Sequence, residues 1–336
     1  MSDKLRWGIL STARINRSLL GPIKEASRSE LAGVASRDLA KAEAYAQENG
    51  IPNAYGSYEA MLADPNIDAV YISLPNSMHC EWTVKAAEAG KHVLCEKPLV
   101  TSLAEMDQVE AAAKANDVTV FEAFMYLHHP QTLKVREIIQ SGQLGHLRLI
   151  TSWFNFWLPP ADTNNVRLST DLAGGSLWDV GVYPNSLAIV MADAGPPVEV
   201  WASQIIGETG VEVSMVGQLK FKNGTTAQIS SGFRTPFRQG THIVGEKGIL
   251  HVPQPWKPCA EGKDSTIELY TGDDDPEDVI TISATSGSPY LSEVEAMEAC
   301  VLDGADPVVP LSLSRDFLRS VLALYESAQT GSPVKL

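Results

Sequence analysis

Over the first 125 residues the apolar positions alternate between two rhythms. Short, almost wholly apolar runs at 4–10, 30–35, 69–74, 92–95 and 119–122 predict strands buried on both faces. Between them, apolar residues recur three and four apart. Residues 14–26, carrying Ile15, Leu19, Leu20 and Ile23, show this spacing; the Ala-rich stretch 38–49 and the stretches 58–63, 78–89 and 103–115 are also expected to be helical. Gly90 reads as a helix stop, and Thr101 or Ser102 with Glu105 behind it as a helix start. Strands alternating with helices of this length imply βαβ units, hence a doubly wound parallel sheet.

After Tyr126 the pattern changes. A helix is expected over 131–140, ended by Gly142, then a long aromatic strand at 147–157, a Pro- and Asn-rich loop at 159–166 and a helix over 175–191. Strands follow at 198–206, 211–221, 225–233, 239–245 and 248–252, joined in part by Asn223-Gly224 and Glu246-Lys247-Gly248. Asn-Gly between apolar runs is a strong hairpin signal. Strands at 265–270 and 278–282 flank Asp273-Asp274-Asp275, read as a solvated turn, and helices over 291–302 and 313–330 complete the chain. The expectation is an α/β dinucleotide-type domain at 1–125 and an α+β domain with a largely antiparallel sheet at 126–336.

Composition narrows the function classes. The 336 residues carry 41 acidic and 26 basic side chains, a formal charge of −15, with 44% apolar residues. That balance argues against nucleic-acid or anionic-membrane partners. Four Cys (80, 95, 259, 300) without a C-x-x-C pair exclude a disulfide scaffold and give no zinc ribbon. No metal site is expected, since His128 and His129 lack ligand spacing with other His or acid pairs. The start shows no secretory signal and no run is long enough to span a membrane, so a cytoplasmic protein is expected.

In an α/β domain, ligands bind beyond the C-terminal ends of the strands. The first βα turn reads Gly8-Ile9-Leu10-Ser11-Thr12-Ala13-Arg14-Ile15, with Ser11 and Ala13 where a dinucleotide turn usually has glycine. Small residues still permit close backbone approach, and a helix start offers N–H groups to a pyrophosphate. The second strand ends in Ser36-Arg37, which suits the 2′-phosphate of NADP; Asp38 follows and keeps NAD possible.

Four segments in order then carry a family resemblance: the 8–15 turn, Leu74-Pro75-Asn76-Ser77-Met78-His79, Cys95-Glu96-Lys97-Pro98-Leu99, and the run from Gly174 to Pro184 that contains Trp178-Asp179 and Gly181-Val182-Tyr183. Together they resemble the glucose–fructose oxidoreductase / inositol dehydrogenase (Gfo/Idh/MocA) family over essentially the whole chain. Tyr183, where inositol dehydrogenases have His, together with residues 122–126 and His128-His129-Pro130, is similar to NADP-dependent D-xylose dehydrogenases, dimeric dihydrodiol dehydrogenases and glucose–fructose oxidoreductase. Leu127 departs from that subgroup, which usually has Arg there.

The resemblance implies a Rossmann domain binding NADP through Gly8, Ser11, Thr12, Ala13, Arg14, Ile15, Ser36, Arg37, Leu74, Pro75, Asn76, His79, Glu96, Lys97 and Arg167. It implies catalysis by Lys97, Asp179 and Tyr183, with Tyr126 and Phe156 joining them around the substrate. A free tyrosine, with a pKa of about 10, is a poor base at neutral pH, and a nearby ammonium improves it by stabilising phenolate. Asp179, four residues before Tyr183, shares its face if the segment is helical. The expected activity is oxidation of a cyclic sugar, as an aldose 1-dehydrogenase on a D-xylose- or D-glucose-like substrate. A keto-sugar or dicarbonyl reductase and a non-catalytic NADP sensor are the alternatives. Both faces of Trp153–Trp157 are apolar, so one is expected to cover helices or pocket and the other to meet a second subunit, in a dimer or tetramer built on the C-terminal sheet.

Overall fold

A computed structural model describes residues 4–272 and 276–336. The five apolar runs of the first part and one further short segment become six parallel strands: β1 (Leu5–Leu10), β2 (Ser29–Ala35), β3 (Asn53–Tyr55), β4 (Ala69–Ile72), β5 (His92–Cys95) and β6 (Val120–Glu122). They lie in the order β3-β2-β1-β4-β5-β6, the Rossmann order, so the switch point falls between β1 and β4. The helices between them are α1 (Arg17–Glu25), α2 (Leu39–Asn49), α3 (Tyr58–Leu62), α4 (His79–Glu88) and α5 (Leu103–Asn116). Ser102 caps α5 and Glu105 reaches back to it, as the sequence suggested. Strand β3 was not expected; three residues with a polar first position carry too little alternation to be read.

The chain divides into two compact units. One comprises residues through Met125 together with Tyr290–Ser314; the other comprises Tyr126–Pro289 and Arg315–Leu336. A division at 125 alone therefore leaves out a returning segment that contains nearly all of α8 (Pro289–Asp303). Its physical cause is an apolar stripe. Val294 and Met297 are fully buried in a core with Trp7, Ile9, Leu31, Tyr71 and Phe121, where each such side chain is worth roughly 1.5–3 kcal/mol. Arg28 adds a two-pronged ion pair to Asp303, 2.6 and 2.9 Å.

The second unit is built on a sheet that, among the described residues, has nine strands. They are β7 (Leu147–Trp157), β8 (Glu199–Ile206), β9 (Glu212–Lys220), β10 (Thr226–Gly232), β11 (Arg234–Gly245), β12 (Ile249–Val252), β13 (Ser265–Tyr270), β14 (Asp278–Ile282) and β15 (Val334–Lys335). Their order is β14-β13-β12-β11-β7-β10-β9-β8-β15, antiparallel except for β10 against β7. Asn223-Gly224 does turn β9 into β10; Gly224 takes φ +88° and Asn223 Oδ1 accepts the Thr225 amide. Strand β11 begins five residues earlier than expected, with an irregular register between Arg234 and Arg238. The Asp273-Asp274-Asp275 turn lies outside the described residues. Helix α6 (Pro130–Gln140), helix α7 (Val182–Ala192) and, for most of its length, α9 (Leu311–Thr330) belong to this unit. No helix of the described residues is long and apolar enough to cross a membrane.

Candidate active site

In the first unit the chemistry gathers at the C-terminal ends of β1, β2, β4, β5 and β6. The turn after β1 is held by a small polar network. Ser11 adopts φ +122°, a region that favours glycine, and its hydroxyl shares a hydrogen bond with Ser73 Oγ (2.8 Å) while accepting the Ala13 amide (3.1 Å). Asn16, fully buried, donates to the Ser11 carbonyl (2.9 Å) and accepts from Ser73 Oγ (2.6 Å). Side-chain hydrogen bonds thus hold open a turn that glycines would otherwise make. Asn16 and Ser73 were missed in the sequence because neither stands at a motif position. Thr12, Ala13, Arg14 and Ile15 keep partial or full exposure on this turn. At Gly8 a Cβ would lie 2.8 Å from Met61 Sδ, so its missing side chain admits α3 against β1.

At the end of β2 the roles separate. Arg37 is exposed, and its guanidinium bears on the Tyr58 hydroxyl, although burial dominates and keeps that phenol above its ordinary pKa. Ser36 Oγ accepts the Asp38 amide, and the Asp38 carboxylate caps α2 by accepting the Lys41 amide (3.3 Å). The acid that could have received a ribose hydroxyl is therefore engaged as a helix cap, whereas the Arg37 guanidinium is exposed beside the Tyr58 hydroxyl.

His79 corrects an expectation. It is fully buried, and both ring nitrogens are taken: Nδ1 lies 2.7 Å from the Pro98 carbonyl and Nε2 2.8 Å from the Leu74 carbonyl. It has no atom left for a cofactor and instead ties the turn after β4 to the turn after β5. Burial lowers its pKa, against the pull of the two carbonyls. Pro75 and Asn76 lie half-exposed on the turn it anchors.

Around Lys97, which precedes a cis proline, the neighbours are acidic. Glu96 Oε1 accepts the Tyr71 hydroxyl (2.6 Å). Glu293 of α8 is buried, and burial, then the Glu96 charge, holds its carboxyl well above the carboxylate range. Glu122, at the end of β6, accepts the Leu99 amide (3.0 Å), and burial pushes its pKa up to about 7. Neither Glu122 nor Glu293 was singled out from the sequence. Glu122 was at least visible, since it ends a strand in a sheet whose strand ends carry function.

In the second unit, Asp179 and Tyr183 lie on one continuous segment, but not in a plain α-helix. Residues Leu177–Gly181 wind as a wide i→i+5 turn that runs into α7, so Asp179 is inside the wide turn and Tyr183 in the first turn of α7. Such insertions recur at functional sites. Gly181 permits this one, because a Cβ there would meet Leu177 and Ser231 at 2.7 and 2.8 Å. Buried Glu212 of β9 holds the start of the turn, accepting from Ser176 Oγ and from the Leu177 amide (2.8 Å). Gly174 lies so close to the Arg167 carbonyl that a Cβ would approach within 2.5 Å. That contact brings Arg167 round to Asp179, Nε to Oδ2 2.6 Å. Arg167, expected at the cofactor, is here the partner of a proposed catalytic acid.

Tyr183 stands among rings: Phe154 at 5.5 Å, Trp256 at 5.6 Å and Tyr126 at 5.8 Å between centroids. Tyr126 is fully buried and its hydroxyl meets Ser186 Oγ (2.8 Å), so it supports Tyr183 from beneath and has no surface for a substrate. Phe156 packs on Phe233, and both Phe154 and Phe156 lie against a cluster that includes Leu158, Leu168 and Val180; Phe154 also lies beside Tyr183. Phe154 and Trp256 were not named from the sequence, since only the fold brings residue 256 beside 183. His129 caps α6 by accepting the Gln131 amide, and burial lowers the His128 pKa to about 4. Among the described residues no group of three His, Cys, Asp or Glu is placed to hold a metal.

Comparison with known proteins agrees with both halves. A sequence model of an oxidoreductase family with an NAD-binding Rossmann fold, Gfo/Idh/MocA, matches residues 5–124, and the C-terminal domain model of the same family matches residues 132–251. The chain belongs to the Gfo/Idh/MocA oxidoreductase family. It is 41% identical to a D-xylose 1-dehydrogenase (NADP(+)) of Haloferax volcanii, over 99% of this chain and all of that one. Among solved structures it is similar to an aldose-aldose oxidoreductase from Caulobacter crescentus (TM-score 0.89, 26% identity, 99% of this chain and 100% of that one). It is also similar to a 3-ketoreductase from Actinomadura kijaniata crystallised with NADP and TDP-benzene (TM-score 0.86, 28% identity, 98% of each chain). As a member of this family the chain is an oxidoreductase.

Proposed function

We propose that this oxidoreductase uses NADP to oxidise the anomeric carbon of a cyclic aldose, of the D-xylose or D-glucose kind, to a lactone. The observation that carries the reading is end-to-end similarity to a D-xylose 1-dehydrogenase (NADP(+)). The cofactor choice has its own support in the fold: at the end of β2 Arg37 is exposed while Asp38 is engaged in capping α2. A guanidinium attracts a 2′-phosphate through charge-assisted bonds and has nothing comparable to gain from a plain ribose. Thr12, Ala13, Arg14 and Ile15 would meet the pyrophosphate, and Pro75 and Asn76 the nicotinamide.

NADP, when bound, supplies the hydride acceptor. The protein's part is to remove the proton and orient the ring. In this reading the Tyr183 hydroxyl oxygen, as phenolate, takes the proton of the sugar hydroxyl while the hydrogen on the same carbon departs, and the C–O bond becomes a carbonyl. Lys97 orients that hydroxyl. Asp179, steadied by Arg167, receives a second sugar hydroxyl. Phe154, half-buried beside Tyr183, offers a face on which an apolar sugar face can stack, a role first expected of Phe156, and the fully buried Trp256 backs it. Absorbance of NADPH formed with a panel of aldoses, polyols and ketoses, run with NADP and NAD, tests the reading. No turnover of any aldose would overturn it. Reduction of a keto-sugar is the second reading, favoured by the likeness to a 3-ketoreductase.

We further propose a dimer or tetramer assembled through the nine-stranded sheet. Phe154 and Phe156 pack within the unit, whereas Trp201 and Val216 on β8 and β9 stay 40% and 51% exposed. Sedimentation showing a monomer at micromolar concentration would refute this.

A further inference from the structure

Glu122 is left over by the chemistry above, yet it is an unusual carboxyl of the first unit. It ends β6 directly opposite Cys95, the last residue of β5 before Glu96-Lys97. One oxygen accepts the Leu99 amide at 3.0 Å, so the carboxyl grips the turn that carries Lys97 from its far side. The other, Oε2, is buried with no hydrogen-bond partner among the described residues. A carboxyl kept dry and half-satisfied is costly, and proteins rarely retain one without a use. The groups that face it are few. They are Lys97, whose charge favours the ionised carboxylate; the buried Cys95 thiol, which its own burial keeps neutral; and the Ser314 hydroxyl at the start of α9. The single formal charge among them is the ammonium of Lys97.

We propose that Glu122 is a positioning residue for Lys97: it anchors the Lys97–Leu99 turn and supplies a buried counter-charge that keeps the lysine aimed. It touches neither substrate nor cofactor in this account; it acts through the lysine. This rests on the reading of Lys97 as the residue that orients the sugar hydroxyl. The arrangement also makes the site responsive to proton concentration. Burial places the ionisation of Glu122 near neutrality, so the counter-charge is present above about pH 7 and withdrawn below it.

The test separates the grip from the charge. E122Q keeps an acceptor for the Leu99 amide and loses the charge, whereas E122D keeps the charge. With wild type and both variants, the pH profile of kcat/KM for sugar oxidation is recorded. In parallel, the rate at which a trace of acetic anhydride labels Lys97 at pH 8 is read by peptide mass spectrometry. The expected result is a wild-type inflection near neutrality that E122Q abolishes and E122D restores, with kcat lowered about tenfold in E122Q, less than loss of a direct acid–base group would cost. Lys97 should label roughly threefold faster in E122Q, since an ammonium no longer held toward the Glu122 carboxylate is more open to the reagent. Superimposable profiles and equal labelling would overturn the proposal. If wild type turns over no sugar, the functional reading fails, while the labelling arm still decides the role of Glu122. Should E122Q not fold, wild type alone suffices: its Lys97 labelling rate followed from pH 5.5 to 9 must show a step near neutrality, and a single smooth rise refutes the coupling.

Discussion

The guanidinium of Arg167 donates from Nε to Asp179 Oδ2 at 2.6 Å, and the pair is held together by the Gly174-Gly175 turn, not by either side chain's own helix. Arg167 is 43% exposed and Asp179 15%, so the pair is screened and worth little as a stabiliser. Its value is positional. R167A is therefore expected to change folding stability by less than about 1 kcal/mol, yet to raise the sugar KM and cut kcat/KM about tenfold. Steady-state kinetics alongside urea denaturation would show it, and unchanged kinetics would mean that Asp179 needs no help.

Lys97 gives a larger effect. If it orients the reacting hydroxyl, K97A should lower sugar-dependent NADPH formation 10²–10⁴-fold, the range that acid–base assistance usually supplies. A loss within about threefold would remove Lys97 from the chemistry.

The end of β2 predicts a split between neighbours. R37A removes a charge-assisted contact to the 2′-phosphate, worth about 1.5–3 kcal/mol, so the KM for NADP should rise by a factor of about 10–150 while that for NAD stays put. D38A removes a helix cap and should cost about 1 kcal/mol of stability without altering the NADP-to-NAD ratio. Equal weakening of both cofactors by R37A would end the 2′-phosphate reading.

How much of this was legible in the sequence depended on distance along the chain. The β1, β2, β4, β5 and β6 runs, the capping box at Ser102 and the Asn223-Gly224 hairpin are local patterns, and each is found where the pattern puts it. What failed was partnership. His79 looked like a residue of the cofactor turn because its neighbours are Pro75 and Asn76; that its ring is clamped by the Leu74 and Pro98 carbonyls depends on a residue 19 positions away. Tyr126 and Phe156 were assigned to the substrate by resemblance; Tyr126 is fully buried against Tyr183, and the partly exposed β7 ring beside Tyr183 is Phe154. The return of α8 to the first core was hidden for the same reason: an apolar stripe says that a helix packs, not against what. Spacing also misled in one detail, since Asp179 and Tyr183 are four apart across a wide turn, not along an ideal helix.

Glu212 lies outside every motif but supports one. Its carboxylate satisfies the Leu177 amide and the Ser176 hydroxyl at the entry to the wide turn, and burial nonetheless raises its pKa. E212A would strand those donors in the interior, at a cost of about 1–3 kcal/mol for an unsatisfied buried group, and would loosen the segment bearing Asp179 and Tyr183. Reduced stability with kcat lowered more than the KM is raised is the expected pattern. A stable, fully active variant would show that Gly174, Gly175 and Gly181 suffice to shape the turn.

Glu122 makes a stability prediction of definite sign. Its pKa is about 7 in the folded chain and close to 4.5 when unfolded, so between those values the folded state binds the extra proton. Stability from this group is then full below about pH 4 and falls as pH rises to about 7, after which the loss is constant. Two and a half units correspond to roughly 3 kcal/mol. E122Q has no such proton to lose, so it should match wild type near pH 4–5 and exceed it by up to about 3 kcal/mol at pH 8. Other buried acids, Glu293 among them, titrate in both proteins and cancel in the difference. Denaturation of the pair from pH 4.5 to 8.5 reads this directly. A difference that stays flat with pH would place the ionisation of Glu122 in the ordinary carboxylate range. A variant more stable than wild type but slower on sugar would mark the carboxylate as one kept for function at a cost to the fold.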